Sequence, residues 1–416
     1  MQTSLDLTSS GAPGFPSSRA GALERLREFV PRAGRYARDR NKVLPGHPNV
    51  SRLSPAIRHR LITEAECAAA PLERYAPSTV EKFTQEVYWR RYWKAWLSLR
   101  PQVWSGYLAD LEALRHEPEF EDARTRAAAC EAARGPIDLM NYFARELVET
   151  DYLHNHARMW FAGWWVHVER LPWQLGADFF YRHLLDADPA SNTLSWRWVA
   201  GLQTPGKTYL PRRSNIEKYV DPEILGSRTG GLELLEQPEA FLGDVPPRPE
   251  VTQATRPEEP ALEEDGVGIW IHEEDLLPEE SPLAPIRPAA IQLAGHGEAW
   301  RRFRLPARRE EWLRSALADA RIRAERHFDT EADLVTDGPL AEGLGAWATR
   351  HGLRQVAALR PETGPLADDL DGVRRALAEC GATLTLLDRP EDVALRPLAT
   401  GGFFSFWKKF RSASDA

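Results

Sequence analysis

A proline-rich acidic segment, residues 236–266, divides the chain into two parts with different patterns of apolar residues. The segment holds nine acidic residues against two arginines, together with six prolines. The resulting charge of −7 is nearly all of the net charge of −8 of the 416-residue chain. Such a composition buries too little apolar surface to fold alone, so it predicts a stiff, solvated linker. We therefore expect a domain on each side, at residues 20–235 and 267–398, and a short tail at residues 399–416.

The part before the linker has the spacing of amphipathic helices. Apolar residues recur three or four positions apart over residues 81–99 and 137–168, which predicts an α-helical domain. Ten of the 15 tryptophans lie between Trp89 and Trp198. This density indicates either a large core filled by indoles, or a cavity with aromatic walls or a route for electrons.

The part after the linker alternates short apolar runs with helical stretches. The runs at residues 268–272, 290–294, 353–359 and 383–387 are typical of buried strands. Helices are expected between them, at about residues 308–326, 338–351 and 365–380. This alternation predicts an α/β domain whose sheet is mostly parallel.

Composition excludes several classes of protein. With 43% hydrophobic and 27% charged residues, the chain can bury a large core and is not disordered as a whole. Cys67, Cys130 and Cys380 are too few for a disulfide framework or a cysteine-rich metal site, which favours a reducing cytoplasm. The sequence has neither an apolar run long enough to span a bilayer nor the apolar stretch of a secretory signal. We expect a cytoplasmic protein with no membrane partner and no metal; the oligomeric state is not readable from the sequence.

Residues 151–198 carry the most specific pattern in the chain. Asn155, Arg158 and Met159 are three and four positions apart, so a helix would place them near one face. The residues that follow are Trp173, an acidic pair with an asparagine (Asp186, Asp188, Asn192) and a W-x-W pair (Trp196, Trp198). An acidic pair of this kind also suits metal binding or turn capping, but neither use explains the neighbouring W-x-W.

This segment resembles the flavin-binding core of the DNA photolyase/cryptochrome family. Three earlier segments agree with the family in the same order: YARDR from Tyr36, SRLSP from Ser51 and EVYWRRYW from Glu86. The resemblance implies an α-helical domain that holds FAD, and an α/β domain that can carry an antenna chromophore. Whether this chain binds an antenna is not visible in its sequence.

The resemblance also implies which residues bind FAD. Ser51 and Ser54 match hydroxyl donors to the diphosphate, whereas SRLSP taken alone is more typical of an ordinary N-cap before a helix. Arg158 matches the arginine that pairs with the first acid beside the flavin, and Asn192 matches the residue opposite flavin N5. The implied cofactor-binding set is Tyr36, Val50, Ser51, Arg52, Leu53, Ser54, Phe83, Arg90, Arg158, Asp186, Ala187, Asp188 and Asn192.

A further set of residues matches the family's pocket for a cyclobutane pyrimidine dimer flipped out of DNA. Trp89 and Trp198 match the two walls, and Glu86 matches the carboxylate that bonds the pyrimidine edge. Asn155 and Met159 match the remaining pocket residues. Family members that repair the (6-4) photoproduct carry histidines at these last two positions, so the cyclobutane dimer is favoured here.

DNA contact and photoreduction of the flavin involve other positions. Arg40 matches a DNA-contacting arginine and is expected to meet UV-damaged DNA together with Glu86, Trp89 and Asn155. Trp196 and Trp173 match the inner and middle members of the family's tryptophan chain. The outer position of this tryptophan chain falls near Phe120, which is not a tryptophan. The electron route therefore either ends early or has a different exit through another indole; the candidates are Trp104, Trp160, Trp164 and Trp165.

The two domains stand in the reverse of the family's order. Residues 268–283 (GIWIHEEDLLPEESPL) resemble the start of the family's α/β domain, and residues 403–411 (FFSFWKKFR) resemble the aromatic, basic linker that follows it. We interpret this order as a circular permutation in which the acidic segment joins the old ends. The alternative is an unrelated α/β domain fused behind a truncated core.

These features lead to three hypotheses about function. The first is a light-dependent FAD enzyme, a carbon–carbon lyase that repairs cyclobutane pyrimidine dimers by electron transfer from excited reduced FAD. The second is a cryptochrome-like blue-light photoreceptor that signals through a protein partner. The third, a flavoprotein that does not use light, is disfavoured by Trp173 and Trp196. Retention of the whole pocket set favours repair.

Overall fold

The computed structural model describes residues 14–204, 207–243, 247–253 and 255–414. Contacts within the chain divide these residues into two compact units. The α/β unit contains residues 14–28, 53–67 and 256–394. The helical unit contains residues 29–52, 68–204, 207–243, 247–253, 255 and 395–414.

Helices are numbered here in chain order over the described residues. They are α1 (Arg19–Ala33), α2 (Tyr36–Asp39), α3 (Ser54–Arg58), α4 (Glu64–Ala69), α5 (Pro77–Ser98), α6 (Pro101–His116), α7 (Glu121–Glu131), α8 (Asp138–Thr150), α9 (Asn155–Gly163), α10 (Trp173–His183), α11 (Pro189–Val199), α12 (Arg213–Tyr219), α13 (Pro222–Leu225), α14 (Gly297–Arg302), α15 (Ala307–Phe328), α16 (Leu340–His351), α17 (Pro365–Asp368), α18 (Leu370–Glu379), α19 (Pro390–Leu395) and α20 (Phe403–Ser414). Among these helices, none has the length and apolar composition that crossing a membrane requires.

The α/β unit is built on a five-stranded sheet. Its strands are β1 (Val267–Ile271), β2 (Ala290–Ala294), β3 (Ala332–Val335), β4 (Gln355–Leu359) and β5 (Thr383–Leu387). They lie in the order β3-β2-β1-β4-β5, and every neighbouring pair is parallel. The expected mostly parallel sheet is therefore confirmed. Strand β3 was not predicted because this edge strand has four residues, of which none is fully buried, so it lacks a buried apolar run.

The core of the sheet depends on a close approach between β1 and α16. A Cβ atom on Gly268 would lie 2.6 Å from Cη2 of Trp347 and 2.4 Å from Cδ1 of Leu353. Only glycine leaves room for this indole against the strand. Trp347 is buried together with Trp270 and Leu377, so the helices that follow β3 and β4 share one apolar core with the sheet.

Residues 53–67 were predicted to belong to the helical domain, but their contacts lie in the α/β unit. Arg58 donates both terminal nitrogens of its guanidinium to the carboxylate of Glu274, just after β1. Arg60 lies 2.8 Å from Asp275 and 2.7 Å from Asp392. Because these charges are buried, each must stay paired, and the pairing holds the segment in this unit. The predicted domain at residues 20–235 is thus not a single contact unit.

The acidic segment contains neither helix nor strand over its described residues, 236–243, 247–253 and 255–266. Most of these residues are exposed, as expected of a linker. The segment is nevertheless anchored: the Pro249 carbonyl accepts a hydrogen bond from Arg100 at 3.1 Å, in the helical unit. Within the α/β unit, Glu259 lies 2.8 Å from both Arg360 and Arg374. The description as a purely solvated connector is therefore wrong for these points.

The helix predicted over residues 137–168 is interrupted. Helix α8 ends at Thr150, and the cap residue that follows, Asp151, has a left-handed backbone with φ of 55°. A new helix, α9, begins at Asn155, and the side chain of His154 caps it by accepting a hydrogen bond from the backbone N–H of His156. A single π-helical turn, Trp164–Val168, follows. The interruption places Asn155 in the first turn of α9.

Candidate functional site

One face of α5 carries four charged or aromatic residues that all point toward other parts of the helical unit. Phe83, Glu86, Arg90 and Lys94 recur at spacings of three and four, which brings them to one side of the helix. The periodicity of the sequence predicts this alignment without further information. Each of these side chains contacts residues outside α5. Several of the contacted residues are predicted site residues.

The aromatic end of this face packs around Phe83. Its ring lies 4.9 Å from that of Phe29 and 5.3 Å from that of Tyr36, the latter in an edge-to-face arrangement. Phe29 and Tyr36 are also 6.1 Å apart. The three rings form a small apolar cluster against α5. The predicted cofactor-binding residues Tyr36 and Phe83 are therefore in contact.

One turn further along, Glu86 is paired with Arg40. The Nη1 of Arg40 donates to Oε1 of Glu86 at 2.6 Å, and the two side chains keep 25% and 28% of their surface exposed. Burial raises the pKa of Glu86 above its usual value, while the charges of Arg40 and Lys82 act against that rise. Glu86 and Arg40 thus form one charged unit at the edge of the site.

The next turn of α5 faces Asp188. The carboxylate of Asp188 is fully buried, and its Oδ1 caps α11 by accepting the backbone N–H of Ser191 at 2.8 Å. Its Oδ2 lies 3.5 Å from Nη1 of Arg90 and 3.9 Å from Nζ of Lys94. The same carboxylate therefore fixes the start of α11 and faces two cations of α5.

Asp186 lies between two arginines. Nη2 of Arg158 is 3.1 Å from Oδ1 of Asp186, and Nη2 of Arg90 is 3.8 Å from Oδ2. The pairing of Arg158 with the first acid, which the resemblance implied, is present in the structure. Ala187, between the two acids, is buried, and its backbone N–H donates to the carbonyl of Leu184.

Tyr152 is a site residue that the sequence did not reveal. The guanidinium carbons of Arg158 and Arg52 lie 5.5 and 5.6 Å from its ring centroid. Burial raises the pKa of Tyr152 to about 12, so the phenol stays neutral. The ring links Arg52, whose backbone is left-handed with φ of 53°, to the Arg158 and Asp186 pair. No local motif could have shown this, because Arg52 is 100 positions away in the sequence.

The predicted diphosphate loop, residues 50–54, is shared between the units. Val50, Ser51 and Arg52 belong to the helical unit, whereas Leu53 and Ser54 belong to the α/β unit. Ser54 is the first residue of α3, and the cap position is Leu53, whose side chain makes no capping bond. A helix thus begins within SRLSP, and the role of this loop in binding a diphosphate stays a prediction.

Asn192 is buried in α11 with a fixed amide. Its Nδ2 donates to the carbonyl of Ala177 at 2.8 Å. The side-chain oxygen Oδ1 is thereby left as the acceptor end of the group. Any ligand that meets this amide on its oxygen side must offer an N–H or O–H donor.

The first turn of α9 presents Asn155 and Met159 side by side. Asn155 is exposed, and its Nδ2 lies 3.9 Å from Sδ of Met159. These residues were predicted to share a helix face with Arg158, and the structure places all three in α9. A half-exposed thioether beside an amide offers both an apolar and a polar contact to a planar ligand.

Trp198 and Trp89 have separate ring partners. Trp198 lies 5.9 Å from Tyr209. The Tyr209 hydroxyl is 3.2 Å from Nε2 of His156, whose Nδ1 is 2.8 Å from the Asn41 carbonyl. A carbonyl only accepts, so Nδ1 carries the proton and Nε2 accepts from Tyr209, in agreement with the pKa of His156, which burial lowers.

Trp89 is backed by the C-terminal helix. Its indole stacks on Phe403 with centroids 3.8 Å apart and planes 10° from parallel. Further along the two helices, Tyr92 lies 5.4 Å from Phe406 and Tyr88 lies 4.5 Å from Phe410. The tail predicted as a short linker is therefore a helix, α20, that packs along α5.

The two predicted electron-transfer tryptophans are buried in adjacent helices. Trp196 meets Trp165 and Phe180 edge to face, at 6.2 and 5.0 Å. A Cβ on Gly176 would lie 2.3 Å from Cη2 of Trp196, so α10 approaches this indole through glycine.

Trp173, at the start of α10, begins a row of aromatic rings. Its ring stacks on Tyr107 at 5.4 Å, and Trp104 follows at 5.5 Å. Among the four candidate exits, Trp104 is thus the one connected to Trp173 by described ring contacts. Phe120 lies in a single 3₁₀ turn, Pro118–Phe120.

The residues around α5 fit an anionic, aromatic cofactor. Arg90, Lys94 and Arg158 are cations, and Asp186 and Asp188 are anions, so this set of five carries one excess positive charge. The rings around Phe83 add a flat apolar surface. Such a donor set suits a planar ring that takes up negative charge.

A cavity of about 650 Å³ lies elsewhere, in the α/β unit. It is lined by residues near the amino ends of β2 and β3, including Ile291, Asp329, Asp333 and His351. None of the predicted site residues takes part in it.

Comparisons with known proteins cover part of the chain that carries these residues. Residues 83–223 match the family model described as the FAD binding domain of DNA photolyase. Among curated relatives, deoxyribodipyrimidine photo-lyase of Thermus thermophilus is 32% identical over 226 residues, covering 52% of this chain and 49% of that protein. The enzyme of the same name from Synechococcus sp. is 29% identical over 197 residues, covering 45% and 40%. The chain thus spans less than half the length of these relatives.

A similar solved structure is that of a bacterial class III photolyase from Agrobacterium tumefaciens. It has a TM-score of 0.42 and 24% identity, over 51% of this chain and 44% of that one.

Proposed function

We propose that the chain is a member of the DNA photolyase/cryptochrome family, whose FAD binding domain its residues 83–223 match, and that it repairs cyclobutane pyrimidine dimers in DNA under light. The observation that carries the proposal is the common face of α5. It presents the Glu86 and Arg40 pair one helical turn from Arg90, which faces Asp186 and Asp188. A damaged base at Glu86 and a flavin at Arg90 would be neighbours.

The cofactor side of this face is Arg90, Lys94, Arg158 and the two aspartates. Bound FAD supplies an electron donor that light excites. The excess positive charge of these residues favours the reduced, anionic form of the ring. Asn192 donates one N–H of Nδ2 to the Ala177 carbonyl and offers Oδ1 as an acceptor, which suits the N–H of a reduced ring.

The substrate side is Glu86 with Asn155, Met159, Trp89 and Trp198. A carboxyl whose pKa is raised holds its proton more readily than a surface carboxyl does. In its protonated form this carboxyl can donate a hydrogen bond to a pyrimidine carbonyl and support negative charge that develops there. Arg40 keeps this carboxyl oriented and offers its remaining N–H groups to a nearby phosphate.

The electron that restores the reduced flavin enters through aromatic rings. We propose a route from Trp104 through Tyr107 and Trp173 to Trp196, in which Trp104 replaces the outer tryptophan that Phe120 cannot supply. Described ring contacts connect the first three members, and the packing of Gly176 against Trp196 brings α10 to the fourth.

We also interpret the order of the domains as a circular permutation. Residues 267–398 would be the α/β domain and residues 399–416 the former linker. Two features support this: the sheet begins directly after the acidic segment, and α20 returns to the helical unit to pack on α5. An engineered chain with the α/β segment moved before residue 20 should fold and retain flavin if this interpretation is right.

The test of the proposed function is repair by the reduced protein under blue light. An oligonucleotide with one cyclobutane dimer is expected to lose the dimer in light and keep it in darkness. Glu86→Ala should lower the yield strongly while the flavin remains bound. If wild-type protein binds flavin but repairs no dimer in light, the photoreceptor function is favoured instead. If Glu86→Ala repairs as well as wild type, the assignment of the pocket is wrong.

A further inference from the structure

We propose that α20 is a second DNA-contacting element, whose Lys408 and Lys409 bind phosphates beside the dimer pocket. The proposal rests on the proposed function in one respect, since it takes Trp89 as a wall of that pocket. The family resemblance assigned these positions only to a linker. Their DNA contact follows instead from the helix that they form and from its two faces.

The inner face of α20 fixes the helix against the pocket. Phe403, Phe406 and Trp407 are buried. Phe403 contacts Trp89 near the middle of α5, whereas Arg411 pairs with Glu81 near its beginning, at 3.0 Å. The two helices are therefore antiparallel, and the first turn of α20 lies directly behind the predicted wall of the pocket.

The outer face of α20 is basic and exposed. Phe404, Lys408 and Ser412 recur every four residues on this side, with Ser405 and Lys409 beside them, and all five are exposed. The sequence of α20 contains no acidic residue. Among the described residues, neither lysine has a carboxylate within ion-pair distance, whereas Arg411 is partnered by Glu81. Over the part of the chain that the structure describes, two cations without a carboxylate partner thus stand side by side, in a chain whose net charge is −8.

Charge and position together indicate a nucleic-acid backbone as the occupant. A basic face attracts a polyanion, and this one belongs to the helix whose first residue, Phe403, stacks on the indole that would wall the pocket. Helices that lie on membranes insert a broad apolar face into the lipid. In α20 that face is already covered by α5, and Phe404, with 69% of its surface exposed, is the large apolar side chain left outside. A DNA surface is therefore favoured over a lipid surface.

The decisive experiment measures how salt weakens DNA binding. The variant Lys408→Gln/Lys409→Gln is compared with wild type on two duplexes, one with a cyclobutane dimer and one undamaged. If each lysine neutralises one phosphate, the slope of log K against log salt should fall by about 1.8 on both duplexes. The light-driven repair of dimers that are already bound should not change, because neither lysine lies in the pocket.

A matched control removes the same charge elsewhere. Arg326 and Arg375 are exposed residues on helices of the α/β unit. The variant Arg326→Gln/Arg375→Gln should keep the wild-type slope. Flavin absorbance and the midpoint of thermal unfolding report whether each variant is folded.

The outcomes separate this proposal from the proposed function. An unchanged slope in a variant that still repairs dimers would overturn the role of α20 and leave repair intact. A reduced slope on undamaged DNA in a protein that repairs no dimers would support the role of α20 and overturn repair. If the double variant instead loses binding to vesicles containing phosphatidylserine while its DNA binding stays at the wild-type level, α20 is a lipid-binding helix and the proposal fails.

Discussion

The indole of Trp89 and the ring of Phe403 are stacked face to face, with centroids 3.8 Å apart and planes 10° from parallel. Phe403 is buried at the first position of α20, and Trp89 is part of α5. A ring stacked on one side has its plane fixed, and only its other side and its edge remain for a ligand. This contact joins the end of the chain to a predicted wall of the substrate pocket.

We expect Phe403→Ala to weaken discrimination between damaged and undamaged DNA. Loss of this ring leaves Trp89 free to turn and removes buried apolar surface, at a cost of about 3 kcal/mol in the free energy of unfolding. Binding to both kinds of duplex, together with chemical denaturation, checks the prediction.

The matched control for this variant is Phe406→Ala. Phe406 is fully buried in the same helix but contacts Tyr92 rather than stacking on Trp89. Phe406→Ala should lower the free energy of unfolding by a similar amount and leave discrimination between the duplexes unchanged. Equal discrimination by the two variants would mean that the stack on Trp89 has no special role.

Asp188 combines a helix cap with a buried charge, and two substitutions separate these roles. Asp188→Asn keeps an oxygen that can cap α11 but removes the charge facing Arg90 and Lys94. Asp188→Ala removes both. The free energy of unfolding of Asp188→Ala should therefore be lower than that of Asp188→Asn by about 1 kcal/mol. Both should retain less flavin, measured as the ratio of flavin to protein absorbance. Equal stability of the two variants would contradict the capping role.

Arg158 is expected to support flavin retention through its pair with Asp186. Arg158→Gln leaves the buried Asp186 with Arg90, whose nearest nitrogen is 3.8 Å away. We expect a loss of about 1 to 3 kcal/mol in the free energy of unfolding, since a buried carboxylate loses its nearest donor, and a lower flavin content. Arg158→Lys should fall between wild type and Arg158→Gln, because it keeps the charge but not the planar fork. If Arg158→Gln keeps the wild-type flavin content, the assignment of Arg158 to the flavin site is wrong.

The parts of the site that were predictable from the sequence are those carried by a single helix. Phe83, Glu86 and Arg90 share a face because a helix repeats every 3.6 residues, and the spacing alone gives that result. Asn155, Arg158 and Met159 follow the same rule within α9. The parallel sheet was predictable for a similar reason, since each buried strand is a short apolar run.

The parts that escaped prediction depend on contacts between distant positions. Tyr152 acts between Arg52 and Arg158, and nothing next to Tyr152 in the sequence marks it. The attachment of residues 53–67 to the α/β unit depends on Arg58 and Arg60 meeting acids more than 200 positions later. Strand β3 is held by backbone pairing with β2, which the apolar pattern does not report.

Photoreduction of the flavin should depend on Trp104 and not on the hydroxyl of Tyr107. Among the described residues, the buried hydroxyl of Tyr107 has no hydrogen-bond partner, so oxidation of this ring would leave a proton with no acceptor. We therefore expect the ring to bridge Trp104 and Trp173 without being oxidised itself, a role that phenylalanine can also fill. Tyr107→Phe should leave the rate nearly unchanged, whereas Trp104→Phe should slow it by about tenfold. Flavin absorbance under illumination with an external reductant measures both rates. Trp160→Phe is the control, because Trp160 stacks on His156 and lies outside the row. If photoreduction is slower only in Trp160→Phe, the electron route does not run through Trp104.

The stability of the helical unit should fall in mild acid because His154 is buried without charge. Burial, with the nearby His47, His156 and Arg158, lowers the pKa of His154 to about 3. In the unfolded chain the same group has an ordinary pKa of about 6.5. Between these two values the unfolded state binds one proton more than the folded state, so the stability that this residue provides at neutral pH is lost as the pH falls. The slope is about 1.4 kcal/mol per pH unit.

Substitution by asparagine isolates this contribution. The side chain of His154 caps α9 through Nδ1, and asparagine can place an accepting oxygen in the same position without titrating. From pH 7 to pH 5, wild type should lose about 2 kcal/mol more than His154→Asn does, as measured by denaturant unfolding at each pH. His154→Ala, which loses the cap as well, should show the same reduced pH dependence at a lower overall stability. If wild type and His154→Asn lose stability in parallel, the imidazole is charged in the folded protein, and burial does not hold it neutral.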